Sequence, residues 1–414
     1  MTTCAEPVMP PSLRGKKILF GVCGSIAAFK AAGWVHALTK EGAEVTVLMT
    51  AAATRFVTPL TFAALSGRPA HTNMFADGMS HIALPAAADA VLIAPATAQT
   101  LARLAHGMAD DLLSASVLAC AAPVLLCPAM NSKMLAHPAT QKNLAALREF
   151  GYAIAEPECG LLACGEEGAG RLAEWNSVRE LLLGLLTAQD MAGQQVLITA
   201  GPTREPLDPA RFLSNRSSGK MGYALARTAK RRGAAITLVS GPTALEPPPG
   251  VTLVRVETAL EMAEAVSRHA QAASIVVKAA AVADFRAAAF SAQKIKKTTA
   301  EPLLELAVNP DILATLGRSR RDDQLLIGFA AESGNHEAEG KRKLLAKKAD
   351  LIVVNDILGS STGFDVDTNQ VTLITLDSVE QLDLLSKEET ADRIWDKALL
   401  LLANKRRRHG TEPV

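Results

Sequence analysis

The sequence predicts an α/β protein built from two three-layer, parallel-sheet domains in tandem, and three observations carry that prediction. Short, near-continuously apolar runs alternate with helical patterns along the chain, as parallel strands buried on both faces do. The series opens twice, at Lys17 and again at Gln195. With 414 residues the chain is long enough for two cores.

Element by element, the first series places strands at Lys17–Val22, Glu44–Met49, Asp89–Ala94, Pro123–Cys127 and Tyr152–Ala155, with helices at Ala27–Glu41, Gln99–Ala119 and Thr140–Phe150. The second series runs through Gln195–Thr199, Ile236–Ser240, Val251–Val256, Ile275–Ala280, Leu326–Phe329 and Leu351–Val354. Near the end, Phe364–Asp367 and Val371–Leu376 flank Thr368-Asn369-Gln370, which reads as a hairpin. The boundary falls in Thr187–Gln194, giving domains 1–190 and 191–414. Both halves open on a strand followed by a glycine turn, but no tandem repeat is present.

Hydrophobic residues make up 49% and charged residues 21%, a soluble composition. The formal net charge of +1 gives no global field to recruit nucleic acid or a membrane. Pro7, Pro10 and Pro11 interrupt the start, which has no apolar core of signal-peptide length, and no apolar run is long enough to span a bilayer. The expectation is a cytoplasmic enzyme. The basic tail Lys405–Arg408 reads as a frayed helix end rather than a nucleic-acid site.

The most informative segment runs from Gly201 through Asp208-Pro209 to Asn215-Arg216-Ser217-Ser218-Gly219-Lys220-Met221-Gly222. It reads as a long polar loop between the Gln195 strand and a helix starting at Tyr223. The N–H groups and positive dipole end of such a helix favour an anion. Ser217, Ser218, Gly219 and Lys220 suit a phosphate: hydroxyls, close-approaching backbone and an ammonium. A plain structural loop with a Ser cap is the alternative.

In the first half the unusual residues stand at strand ends: Gly24-Ser25, Thr50, Pro95-Ala96-Thr97-Ala98 and Pro128-Ala129-Met130-Asn131. Ligands of Rossmann-like and flavodoxin-like sheets sit beyond the carboxyl ends of the strands. The dinucleotide fingerprint GxGxxG is missing, so a mononucleotide such as FMN fits better than NAD. Gly24, Ser25, Thr50, Ala96 and Thr97 are the candidate contacts. His81 stands in a short segment ahead of the Asp89 strand, and composition alone leaves it unremarked. The six cysteines, Cys4, Cys23, Cys120, Cys127, Cys159 and Cys164, have no CxxC spacing, which excludes a zinc ribbon or a thioredoxin-type pair. Cys23, Cys120 and Cys127 read as core filler. Cys164 lies in Ala163-Cys164-Gly165-Glu166-Glu167-Gly168-Ala169-Gly170-Arg171, a glycine-rich polar loop that could carry a thiol to a ligand.

The motifs GSIAAFK, SHIAL, APATA, PAMN and ACGEEGAGR, followed by GPTREPLDP, SNRSSGKMG, AAAVADF, KIKK, NPDIL and GFAAE, together form a recognisable set. The chain resembles the bifunctional phosphopantothenoylcysteine decarboxylase / phosphopantothenate–cysteine ligase family of coenzyme A biosynthesis, from about Lys16 to the last helix. Its first half also resembles the wider FMN-containing cysteine decarboxylases. The resemblance implies FMN as an electron sink for decarboxylation, with His81 as the essential histidine, Asn131 on the substrate carboxylate and Cys164 as the acid that protonates the enethiolate. Leu172 and Ala169 replace the Met and Pro often found in the family motif, and neither change removes a chemical group.

For the second half, the resemblance implies that CTP activates 4′-phosphopantothenate as an acyl-cytidylate, which L-cysteine then attacks, with Mg²⁺ assisting. Asn215 matches the asparagine associated with the acyl-cytidylate. Lys294 matches the essential lysine, which also contacts nucleotide, and Asp284, Pro310, Asp311, Ile312, Leu313, Phe329, Lys343 and Lys347 match nucleotide-site positions. Read from the residues alone, Lys341–Lys348 is a solvated basic face, since lysines one turn apart repel unless an anion joins them, and Phe329 is a core residue. No metal ligands are assigned. The resemblance implies homo-oligomers, with trimeric decarboxylase and dimeric ligase domains. Three other readings fit part of the sequence: a decarboxylase acting on a peptide's C-terminal cysteine, which leaves residues 195–405 without a role; an FMN-binding regulator; and a nucleotide-binding scaffold without turnover.

Overall fold

The computed structural model describes residues 13–76, 78–296, 303–332, 336–356 and 366–409. Cys4, Lys297 and the beginning of the Phe364–Asp367 strand lie outside them. The chain divides into two compact units, Ser12–Ala188 and the part from Gln189 on.

In the first unit the strands β1 (Lys17–Val22), β2 (Glu44–Met49), β3 (Ala90–Ala96), β4 (Val124–Pro128) and β5 (Ala153–Ile154) form one sheet in the order β2-β1-β3-β4-β5. All of its pairings are parallel, the doubly wound order of flavodoxin-like folds. Alternate residues serve opposite faces: Ile18, Phe20, Leu92 and Leu125 join one core, while Leu19, Val91, Ile93 and Leu126 join the other. This explains why the strands read as continuous apolar runs. Helices α1 (Ala28–Lys40), α2 (Pro59–Ser66), α3 (Ser80–Ala86), α4 (Ala98–Ala105), α5 (Leu112–Leu118), α6 (Ser132–Ala136), α7 (Pro138–Glu149) and α8 (Trp175–Leu186) complete the layers. The helix expected over Gln99–Ala119 is two helices, because Gly107 takes a positive φ and Asp111 starts α5 with a capping box to Ser114. The polar loop expected around Cys164 is instead the turn of an antiparallel hairpin, β6 (Glu158–Leu161) with β7 (Glu167–Arg171).

The second unit centres on β8 (Gln195–Ala200). Its connection to α9 (Lys220–Arg231) is not all loop, since β9 (Arg204–Asp208) and β10 (Arg211–Ser214) form a hairpin within it. The Asp208 carboxylate closes that hairpin by accepting the N–H groups of Ala210 and Arg211 at 2.8 and 2.9 Å. The helix starts at Lys220 rather than Tyr223, behind Gly219 at φ +78°. Next come β11 (Ala235–Ser240), β12 (Thr252–Arg255), α10 (Ala259–Ala270), β13 (Ile275–Lys278), the hairpin β14 (Phe285–Ala287) with β15 (Leu306–Val308), α11 (Ile312–Ser319), β16 (Leu325–Glu332), α12 (His336–Lys347) and β17 (Leu351–Asp356). The last elements are β18 (Thr368–Asn369), β19 (Val371–Ile374), β20 (Val379–Gln381), β21 (Leu385–Ser386) and α13 (Lys387–His409).

The main sheet has the order β12-β11-β8-β13-β16-β17-β19-β20, parallel up to β17 and antiparallel beyond it. Among the described residues, the hairpin expected around Thr368-Asn369-Gln370 is not seen. Val371, Leu373 and Ile374 are buried, so β19 is drawn onto the edge of β17, while β18 pairs with β21. One face of the sheet is sealed by α9 and α13, where the fully buried Trp395 donates from Nε1 to Thr228 Oγ1 at 3.0 Å and to the Leu225 carbonyl at 3.2 Å. Trp395→Ala should therefore cost the second unit about 3–5 kcal/mol, read as a lowered denaturant midpoint for that unit while the first unit's transition stays in place.

Candidate functional site

The second unit holds a cavity of about 730 Å³ toward the carboxyl ends of β13, β16 and β17, beside the start of α9. Its position follows from the sheet: parallel strands all end on one side, and their loops enclose a crevice there. Three tethers from the β8 end fix the Ala280–Asp284 stretch that forms one wall. Thr199 Oγ1 accepts the Ala280 N–H at 3.1 Å, the Gly201 carbonyl accepts that of Ala281 at 2.9 Å, and Thr203 Oγ1 accepts that of Ala283 at 3.1 Å. Asn215 leans on the same wall, its Nδ2 donating to the Val282 carbonyl at 3.0 Å.

Of the residues singled out in the second half, Asn215, Ser217, Ser218, Gly219, Lys220, Asp284, Pro310, Asp311, Ile312, Leu313, Phe329, Lys343 and Lys347 all line this cavity. Gly219 needs its left-handed conformation to turn the loop into α9, and a Cβ there would come within 2.8 Å of Thr243 Cγ2. Lys343 and Lys347 stand one turn apart on α12, and Lys347 is paired with Asp311, the N-cap of α11. Burial alone would raise the Asp311 carboxyl. The Lys347 ammonium and the Ala314 N–H outweigh it and hold it below the usual carboxylate range. Phe329 is half-buried, packing on the core while also facing the cavity.

Lys294 is not among the lining residues. It is exposed, on a segment fastened to the β9–β10 hairpin by Ile295 N–H to Asp208 at 3.1 Å and by Arg211 to the Ile295 carbonyl at 2.8 Å. Arg211 and three backbone N–H groups keep the Asp208 carboxyl far below its ordinary value. Sequence reasoning missed Lys278 and Lys387, which also line the cavity. The signal for Lys278 was a lysine closing an otherwise apolar strand, Ile275-Val276-Val277-Lys278. Burial pushes its ammonium down to about 8; Asp311 and Asp284 oppose that shift, and Lys343 and Lys347 add to it.

In the first unit, contacts run from one strand end to the next. Thr50 N–H donates to the Val22 carbonyl at 3.0 Å, and a Cβ on Gly24 would lie 2.4 Å from that of Ala52. Thr100 Oγ1 donates to Cys23 Sγ at 3.2 Å and contacts Thr97 Oγ1 at 3.2 Å. The Ala96 carbonyl accepts the Ala129 N–H at 3.1 Å. Gly24, Thr50, Ala96 and Thr97 are thus gathered at the ends of β1, β2 and β3, and Ser25 caps the turn into α1 through Ala27 N–H. Cys23 and Cys127 are buried, and burial raises both thiols, that of Cys23 to about 11. They are core residues.

Asn131 is the N-cap of α6, and its Nδ2 donates to Cys164 Sγ at 3.4 Å and to Glu166 Oε2 at 3.0 Å. Glu166 also pairs with Lys133 at 2.9 Å. The Lys133 ammonium and the Asn131 amide lower the Glu166 carboxyl. Neither Glu166 nor Lys133 was singled out from sequence, because each is an ordinary charged residue until the hairpin folds onto α6. That docking depends on glycine. The Gly170 carbonyl accepts the Met130 N–H at 3.0 Å, and at φ +139° a Cβ on Gly170 would stand 2.1 Å from the Met130 carbonyl oxygen. His81 lies on α3, half-buried, and its Nδ1 is buried with no hydrogen-bond partner among the described residues. Gly170→Ala should lift the hairpin from the Met130-Asn131 turn, and the check is faster amide hydrogen exchange over 158–171 with α7 unchanged.

Residues 9–187 match the family described as Flavoprotein, and residues 191–401 match the DNA/pantothenate metabolism flavoprotein C-terminal domain. The coenzyme A biosynthesis bifunctional protein CoaBC of Mycobacterium tuberculosis is 46% identical over 407 residues, covering 94% of this chain and 97% of that relative. The protein of the same name from Bacillus subtilis is 43% identical over 398 residues, covering 94% and 98%. Among solved structures, the C-terminal domain of a CoaBC protein is 44% identical, covering 52% of this chain and all of that one, with a TM-score of 0.46.

Proposed function

The chain belongs to the family of bifunctional coenzyme A biosynthesis proteins, and from that premise we propose how its two halves divide the work. It is an enzyme with ligase and decarboxylase activities. Residues 191–414 join 4′-phosphopantothenate to L-cysteine through an acyl-cytidylate formed from CTP. Residues 1–190 then decarboxylate 4′-phosphopantothenoylcysteine to 4′-phosphopantetheine with FMN. The observation that carries this reading is the single cavity into which the Ser217–Lys220 turn, Asp284, the Pro310–Leu313 segment, Phe329 and two α12 lysines all converge.

In the ligase half, the carboxylate of 4′-phosphopantothenate attacks the α-phosphorus of CTP and pyrophosphate leaves; the cysteine amine then attacks the acyl carbon and CMP leaves. Both substrates are anions, so the cations of the cavity lower the cost of bringing them together. The α9 N-terminus and Lys220 take a phosphate, Lys343 and Lys347 take the nucleotide, and Asn215, its amide oriented by Val282, faces the acyl-cytidylate. Lys294 reaches the reaction from its own segment. Among the described residues no group of three or more His, Cys, Asp or Glu could hold a metal ion, so Mg²⁺ would arrive bound mainly to phosphate oxygens.

The first unit fits FMN. Gly24, Thr50, Ala96 and Thr97 meet at the β1/β3 switch point, and the buried, partnerless Nδ1 of His81 would be satisfied by a ligand group beside α3. Held by these residues, FMN would supply a reversible two-electron acceptor, the electron sink that decarboxylation of a cysteinyl carboxylate needs. Asn131 binds the substrate carboxylate through the amide that otherwise holds Cys164 and Glu166, and Cys164 gives its proton to the enethiolate carbon. The β6–β7 hairpin carries that thiol over the substrate and excludes water. Exposed Phe29, Phe56 and Leu60 support self-association of this unit, as the trimers that accompany dimers of the ligase unit. No helix among the described residues is long and apolar enough to cross a membrane, in keeping with a cytoplasmic site of action.

The test supplies the purified chain with 4′-phosphopantothenate, L-cysteine, Mg²⁺ and CTP, then follows pyrophosphate, CO₂ and product mass. The expected outcome is 4′-phosphopantetheine. Cys164→Ser should release pyrophosphate normally but lose about 10²-fold or more in decarboxylation. Lys294→Gln should do the reverse, decarboxylating supplied 4′-phosphopantothenoylcysteine while making little of it. A yellow protein that forms neither the cysteine adduct nor pyrophosphate would sink the ligase assignment.

A further inference from the structure

Lys278 ends β13, a strand at the middle of the sheet, and lines the cavity. Its Nζ donates to the Ala280 carbonyl at 3.0 Å. Three other ammonium groups of the cavity have acceptors of their own: Lys347 pairs with Asp311, Lys220 with Asp367 at 2.7 Å, and Lys387 donates to the Val366 and Thr368 carbonyls and to Asn369 Oδ1. Lys278 forms no ion pair among the described residues, although Asp284 and Asp311 lie near enough to attract it and Lys343 and Lys347 near enough to repel it. A cation taken out of water with one neutral acceptor in contact is destabilising when the two carboxylates that attract it form no ion pair with it and two like charges stand near as well. An anion bridging it to those neighbours would reverse that balance.

We propose that Lys278 is a substrate-contacting residue of the ligase half, binding the polyphosphate of the nucleotide together with Lys343 and Lys347 and stabilising the pyrophosphate that leaves. The inference rests on the nucleotide reading of the cavity only for the identity of the anion. As the phosphorus–oxygen bond to pyrophosphate breaks, negative charge grows on the departing oxygens, and an ammonium already in place stabilises it without reorganisation. Lys278 therefore serves anion binding and the chemical step alike. It keeps its proton throughout, and no covalent bond to it forms.

The experiment uses the full chain and Lys278→Met, which keeps the length of the side chain and removes the charge. In steady-state ligase assays, Lys278→Met should raise the KM for CTP at least tenfold and lower kcat, leaving the KM for L-cysteine and the decarboxylation rate unchanged. Lys278→Arg should recover most of the CTP affinity. Titration with inorganic pyrophosphate by calorimetry gives a second readout that needs no turnover: wild type binds and Lys278→Met binds at least tenfold more weakly. The thermal midpoint of Lys278→Met without ligand should rise, since a poorly paired cation has been removed. A purely structural lysine would give the opposite, a lowered midpoint with unchanged pyrophosphate affinity, and that pattern overturns the proposal. A wild-type chain that releases no pyrophosphate from CTP would instead defeat the ligase reading, while the calorimetric comparison would still decide whether Lys278 binds the anion. Should Lys278→Met not fold, Lys278→Gln in the same titration takes its place, and undiminished binding there rejects the role.

Discussion

Everything in the larger cavity depends on how a loop with few polar side chains of its own is held still. The stretch Ala279-Ala280-Ala281-Val282-Ala283 has no side-chain donor or acceptor, so its backbone groups must find partners elsewhere. They find them on the end of the adjacent strand, where Thr199, Gly201 and Thr203 each take one N–H. The same stretch gives its carbonyls to Asn215 and Asn309. A wall of small side chains fixed by its backbone leaves room for a ligand and exposes main chain to it. It also fixes Asp284, whose carbonyl accepts the Asn309 N–H at 2.8 Å. Larger side chains could make a stiffer loop by packing, but they would fill the space the ligand needs.

The first unit reaches a similar end by a different route. Its chemistry-bearing thiol sits on a hairpin turn, and the rigidity comes from the strand behind it. Gly168 and Gly170 let β7 approach the β4–α6 turn so closely that their missing side chains are the fit: a Cβ on Gly168 would already touch Ser132 at 3.0 Å. Once docked, the hairpin sets Glu166 between Lys133 and Asn131. Asn131 is thereby fixed from two sides, its Oδ1 capping α6 at Lys133 N–H and its Nδ2 held by the hairpin. An amide with both ends committed has a defined orientation, as the role proposed for Asn131 on a carboxylate requires.

The layers and most strands were legible in the sequence because burial on both faces writes itself as uninterrupted apolar runs, as in Ala90–Ala96, where all seven residues are buried. The hairpins were not. Gly201–Asp208 and the Cys164 segment are rich in Gly, Pro and charge, so they carry turn signals throughout, and their pairing is set by Asp208 and by contacts with the β4–α6 turn rather than by an alternating pattern. The false hairpin at Thr368 failed for the converse reason: local turn residues were present, but the apolar side chains of Val371–Ile374 gain more from joining β17. Most second-half residues that a motif names gather at one cavity, although Lys294 of the KIKK motif does not line it. Lys278 was not legible, since a lysine at a strand end is unremarkable until its surroundings are known, and Glu166 looked like any other surface carboxylate.

That contrast bears on how such a cavity can be stable at all. Two neighbouring lysines on α12 and a third at the end of β13 would repel one another if left to themselves. The fold answers this repulsion with Asp311 on Lys347 and, without an ion pair, with attraction from Asp284 and Asp311 on Lys278. A contacting carboxylate on Lys278 would be more stable, yet it would occupy the donor that the proposed reaction turns to phosphate, and a ligand oxygen would then have to displace a protein oxygen already bound. Partial compensation keeps the free protein folded while leaving charge for the substrate to complete. The residual strain at Lys278 is electrostatic, so any bound polyanion relieves it and its departure restores it.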